Sequence, residues 1–91
     1  MIRSFRCAET ETIFQGKHSR RFQSIEKTAL RKLIQLNQAR SLQDLRSPGN
    51  ALEALWKERA GQHAIRINEK CRLCFVWNDN EASEVEIVDY H

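Results

Sequence analysis

The stretch His63 to Trp77, HAIRINEKCRLCFVW, decides the fold. Two alternating runs, HAIRI and CRLCFVW, flank the polar triplet NEK, which is the spelling of a β-hairpin. If the strands pair symmetrically about Glu69, Ile65 faces Leu73 and Ile67 faces Cys71, making one apolar face. On the other face Arg66 lies opposite Arg72. Like charges directly opposite on a sheet cost roughly 0.2–1 kcal/mol. A chain keeps such a pair if a carboxylate neutralises it or if a phosphate binds between the two, and both readings stay open here. Guanidinium groups suit phosphate because they stay charged and bind in bidentate fashion.

Working outward toward the C-terminus, NDNEAS reads as a turn and EVEIVDY alternates again. Val85 and Ile87 then join Leu73, Phe75 and Trp77 on the core face. Val88 and Tyr90 share the face of Arg72, with Asp89 between them and His91 at the tip. Toward the N-terminus, LEAL is a weak strand, SPGN a turn and SLQDLRS a single helical turn burying Leu42 and Leu45. From about residue 23 to 39, Ile25, Ala29, Leu33 and Leu36 recur at helical spacing, and Phe22 lies in line just ahead of them; Leu30 and Ile34 widen the stripe into one broad buried face. KHSRR is a basic connector, residues 8–15 a short helix closed by Gly16, and IRSF a first strand. The expected fold is α+β: a mainly antiparallel sheet with two principal helices packed on one face, in a single domain over residues 1–91.

Composition narrows the class. A chain of 91 residues, 41% hydrophobic and 30% charged, reads as one globular domain. No apolar run approaches the roughly 20 residues that span a bilayer, and MIRSFRCAETETIF has no signal core. Three cysteines without a signal suggest reduced thiols in a cytoplasm. Residues 1–50 carry ten Lys/Arg against four Asp/Glu, and residues 51–91 carry five against eight. A basic half suits a polyanion, although solvated helix faces give the same balance. Cys71 and Cys74 have CxxC spacing, but positions three apart on a strand point to opposite faces, so buried thiols are expected over a metal site. His63, opposite Phe75, reads as structural and His18 as solvated. Trp56 and Trp77 read as core or partner-contact residues.

An arginine pair, a tyrosine and a histidine on one exposed surface have the parts for RNA cleavage through the ribose 2′-OH. Histidine can move the protons, arginine supplies fixed positive charge, and tyrosine can stack on a base or assist proton transfer.

At this point the chain resembles the RelE/ParE superfamily of bacterial toxins, most closely its HigB branch, the plasmid maintenance killer proteins. The resemblance runs from MIRSF through LRSPGN and LEAL, and it is most specific in RAGQHAIRIN, CRLCF and the closing VEIVDYH. It implies a toxin of a type II toxin–antitoxin system: a ribosome-dependent endoribonuclease, with no metal or other cofactor, that cleaves mRNA in the ribosomal A site. It also implies a HigA-type helix-turn-helix antitoxin that binds operator DNA, and no membrane partner. Carried over by position, the catalytic set falls on Arg72, Asp89, Tyr90 and His91. Arg66, with Lys57 and Arg59, falls to RNA phosphate contact. Some HigB proteins have a histidine before this hairpin where LEALWK has Glu53, which leaves Glu53 as the possible base. Two other classes remain: a non-nucleolytic toxin of the same fold, as in ParE-type members, and a plain nucleic-acid-binding module.

Overall fold

The structure is a computed structural model that describes residues 1–89. The expectations placed on Tyr90 and His91 lie outside the described residues.

Two helices, α1 (Ala8–Phe14) and α2 (Glu26–Gln38), precede a four-stranded antiparallel meander. Its strands are β1 (Glu53–Ala54), β2 (Gln62–Arg66), β3 (Cys71–Asn78) and β4 (Glu81–Asp89), hydrogen-bonded in sequence order. Short 3-10 turns at Gln23–Ile25, Leu42–Leu45 and Lys57–Arg59 complete the described elements. The α+β class and the two helices on one sheet face are as the sequence implied.

The core forms where apolar periods meet. α2 buries Ala29, Leu33 and Leu36, and the sheet brings Ile65, Leu73, Phe75, Val85 and Ile87 against them. The stripe is narrower than its sequence suggested, because Ile34 is 43% exposed and Leu30 only half-buried. α1 is tied to α2 through the buried Ser19. The Ser19 hydroxyl donates to Glu9, its backbone N–H donates to Glu26, and its Oγ accepts from the Phe22 N–H. The Ser19 amide, then His18, hold the Glu26 carboxyl below the ordinary 4.5.

Three strand boundaries differ from the sequence reading. IRSF is not a regular strand but an edge segment with two isolated parallel bridges, Ile2 to Ala82 and Phe5 to Val85. LEAL contributes only Glu53 and Ala54 to the sheet. The turn in NDNEAS is confined to Asp79 and Asn80, both with left-handed backbone (φ 52° and 62°), so Asn78 already pairs with Glu81. Two positive-φ residues make the tight turn that matches strand twist. β4 then hides its own start: Glu84 (φ 50°) and Val85 together oppose Phe75 in a bulge. The bulge shifts the core-facing phase from Ala82 to Val85 and Ile87, which breaks the alternation a reader looks for. Ser4 holds the bulge, accepting from Glu84 N–H at 2.9 Å on its hydroxyl and from Val85 N–H at 3.1 Å on its carbonyl.

The turn at residues 47–50 is pinned from beneath. Asn50, 1% exposed, donates to the Leu45 carbonyl at 3.0 Å and accepts from the Lys32 ammonium. Its own carbonyl accepts the Arg66 N–H at 2.6 Å, so this segment flanks β2 where β1 has not begun.

His63 stacks on Phe75 with ring centroids 6.3 Å apart, and its buried Nδ1 has no hydrogen-bond partner among the described residues. Burial, and then the Arg46 charge, push its pKa below 6.5. The folded chain keeps this ring neutral where the unfolded chain begins to protonate. The resulting stability is present above about pH 6.5 and is lost as pH falls toward the depressed folded value. Between about pH 7 and about pH 5.5, the denaturation midpoint of the wild type should fall, and His63→Phe should remove most of that slope. Glu26 acts in a lower window, below its ordinary 4.5. Equal slopes in the two proteins over the upper window would contradict the assignment.

Candidate functional site

The β2–β3 hairpin closes as its sequence dictates. Arg66 pairs with Arg72, Ile65 with Leu73 and His63 with Phe75. The Ile67 N–H donates to the Cys71 carbonyl at 3.0 Å, which centres the loop on Glu69. Asn68 locks the loop, its Oδ1 accepting from Lys70 N–H at 2.9 Å and Cys71 N–H at 2.7 Å, an Asx turn that rigidifies the hairpin tip.

Because side chains alternate, the register places three rows on the face away from the helices. The first runs Arg66, Arg72, Val88. The second runs Glu53, Ala64, Cys74, Glu86. The third holds Gln62, Val76 and Ser83. The arginine pair therefore sits at the hairpin end of an uncovered sheet face, with Val88 beside Arg72 as expected. The Arg72 guanidinium donates to the carbonyls of Asn68 at 2.6 Å and Cys71 at 3.1 Å, which aims it over the hairpin tip. Arg66 makes no ion pair among the described residues.

Glu86 is the carboxylate of that face next in line, and it is engaged elsewhere. The Arg59 guanidinium donates to it at 3.1 Å and to the Gln62 side chain at 3.1 Å, while Arg6 Nε lies 3.8 Å away. Arg59 thus crosses β3 at the level of Cys74, which is fully buried yet apart from the helix-side core. Two buried thiols on opposite faces result: Cys71 packs toward the helices and Cys74 under Arg59. Burial, and then the nearby Asp89 charge, push the Cys71 thiol above its ordinary 9.0.

Among the described residues, those predicted from the sequence are not all brought to one face. Arg66 and Arg72 stand together, and Glu53 lies exposed one row along. Lys57 is exposed on its 3-10 turn with a left-handed backbone (φ 54°). Asp89 pairs with Cys71 and so lies on the helix side of the sheet, where it lines a cleft with Arg21, Ser24 and Lys70. The resemblance groups Asp89 with Arg72, and the register puts the two on opposite faces. Trp56 is not a core residue: it is 83% exposed, whereas Trp77 packs edge-on against Phe75. The Arg59–Glu86 link was missed. The even spacing of Glu86 from Arg72 across β4 was the signal for its face, but nothing local announces that Arg59 crosses two strands to reach it.

A family model described as the RelE-like toxin of type II toxin–antitoxin system HigB matches residues 3–91. The chain belongs to this HigB-like toxin family. Toxin HigB-1 of Vibrio cholerae serotype O1 is 43% identical over 60 residues, which are 65% of this chain. The match spans 63% of that relative's length. Among solved structures, the YoeB–YefM complex from Staphylococcus aureus superposes with a TM-score of 0.62 at 19% identity. It covers all of this chain and 98% of the other. The YoeB dimer from the same organism gives 0.61 at 20% identity, over 99% and 94% of the two chains. The HigB-like chain described here therefore shares the fold of the YoeB toxins. None of its described helices is long and apolar enough to cross a membrane.

Arg59 is 34% exposed and Glu86 16%, so their pair is screened less than a surface pair. A double-mutant cycle of Arg59→Ala and Glu86→Ala in urea should give a coupling of about 1 kcal/mol. A coupling of zero would mean that the bridge does not hold the 57–59 turn over the sheet.

Proposed function

We propose that this HigB-like toxin is a ribosome-dependent endoribonuclease that cleaves mRNA in the A site through the ribose 2′-OH. The observation that carries the reading is the Arg66/Arg72 pair, held directly opposite on a sheet face without helices. Two adjacent guanidinium groups repel until an anion sits between them. A phosphodiester passing through a transition state with charge on its oxygens is the anion that gains most from them. The arginines thus supply the charge stabilisation that other nucleases take from a metal ion.

In this mechanism Arg72, aimed by the carbonyls of Asn68 and Cys71, binds the scissile phosphate, and Arg66 shares it. Tyr90 stacks on the base or assists proton transfer. His91 protonates the leaving 5′ oxygen, and the Asp89 carboxylate favours the charged imidazole. Glu53, one row along the same face, takes the 2′ proton. Lys57 and Arg59 border the approach as further phosphate contacts, with Arg59 keeping its hold on Glu86. The toxin is neutralised by a HigA-like helix-turn-helix antitoxin through which the complex binds operator DNA, and it works in the cytoplasm. The complex formed by YoeB with YefM supports an antitoxin partner on this fold.

Mapping mRNA 5′ ends with and without translating ribosomes tests the reading. Cleavage should need the ribosome. Arg72→Ala should lower it by roughly 100- to 1000-fold with the melting temperature unchanged, and Arg66→Ala by less. Deleting His91, or Tyr90→Ala, should also strongly reduce it. Wild-type cleavage by the folded Arg72→Ala protein would overturn the mechanism. Cleavage of naked RNA at the same rate would remove the ribosome from it.

A further inference from the structure

At the β2 edge, beside Arg66, an open cleft of about 460 Å³ lies between that residue and the turn at residues 47–52. Arg46 lines its other side, and none of the residues lining it is acidic. Neither Arg46 nor Arg66 forms an ion pair among the described residues. The floor is rigid: Asn50 is buried beneath the turn with its amide donating to Leu45 and accepting from Lys32. Its carbonyl fixes the turn to the Arg66 backbone. Arg72, Arg66 and Arg46 therefore form a line. It runs across the hairpin from β3 to β2 and on to the turn, at the level where β1 has not yet started.

We infer that the cleft between Arg46 and Arg66 is a second RNA phosphodiester subsite, one backbone phosphate removed from the one held at Arg72. This rests on the RNA-cleaving reading and adds to it a direction: the strand runs across the hairpin toward the 47–52 turn, away from β4. Two guanidinium groups on either side of an acid-free cleft fit a diester that offers two charged oxygens. A contact of this kind sets the register of the strand and carries no base information. Arg66 is shared between the two subsites. Arg46 belongs to the second alone and is exposed, so its removal leaves the core intact.

The test uses the full chain and RNA that cannot be cut, 2′-O-methyl oligonucleotides of increasing length, alongside ribosomes without mRNA. Arg46→Ala should weaken binding about tenfold, the effect of one charge-assisted contact. It should also lower the slope of log affinity against log salt by about 0.7. Arg46→Lys should recover part of the loss and Arg46→Glu should deepen it. If the phosphate belongs to the substrate strand, the loss appears with the longer oligonucleotides and not with the shortest, one-phosphate RNA. If it belongs to ribosomal RNA, the loss appears with the empty ribosomes. Wild-type binding and salt slope for Arg46→Ala and Arg46→Glu in both arms would overturn the subsite while leaving mRNA cleavage standing. A wild-type protein that binds RNA in neither arm would overturn the subsite, and one that also cuts no mRNA on translating ribosomes would overturn both.

Discussion

The register of the β2–β3 hairpin is the constraint on which the rest depends. Ile65 against Leu73 and Ile67 against Cys71 give the hairpin one apolar face, and the helices cover it. A slip of β2 by one residue would turn Arg66 into the core and expose Ile65 and Ile67. A buried guanidinium without a partner is a cost that the loss of the isoleucines only deepens. The same hydrophobic pairing that closes the core therefore forces the two arginines together outside it. Asn68 secures the loop at the tip and the carbonyls there orient Arg72, so little further ordering is needed when an anion arrives.

The chemistry of the open face follows from where its less exposed carboxylate goes. Glu86 shares that face, yet it is held by Arg59 and Arg6, two positions outside the hairpin. A carboxylate committed in this way does not neutralise Arg66, and the hairpin end keeps its positive field. The bridge has a structural role as well. It ties the Lys57–Arg59 turn to β4 across the row that holds the buried Cys74. One ion pair thus separates a settled, covered part of the sheet from the charged part at the hairpin end.

Much of this was legible in the sequence because the informative contacts are local or periodic. The hairpin's symmetry about Glu69, the Arg66–Arg72 opposition and the core positions of Val85 and Ile87 follow from two-residue alternation. The family itself was legible in RAGQHAIRIN, CRLCF and VEIVDYH. What was not legible depends on contacts distant in sequence or on backbone that breaks the period. The start of β4 was hidden by the bulge at Glu84, which Ser4 supports from 80 residues away in the chain. Asn50 looked like a turn residue and nothing more, and its pairing with Lys32 shows only when α2 lies across the turn. Of the two readings of Trp56, core or partner contact, its exposure removes the first. Asp89 entered the catalytic set through the family resemblance, and strand alternation puts it on the face opposite Arg72.

The central claim is that Arg66 and Arg72 act on one phosphate, because core pairing leaves them no other arrangement. The direct measurement is a double-mutant cycle on the rate of mRNA cleavage with translating ribosomes, using Arg66→Ala, Arg72→Ala and the double variant. Groups that share one reacting phosphate are strongly non-additive. The account predicts that the double variant loses much less than the product of the two single losses. Losses that multiply, with all three proteins folded, would mean that the arginines act at separate places and that their opposition on the sheet has no part in catalysis.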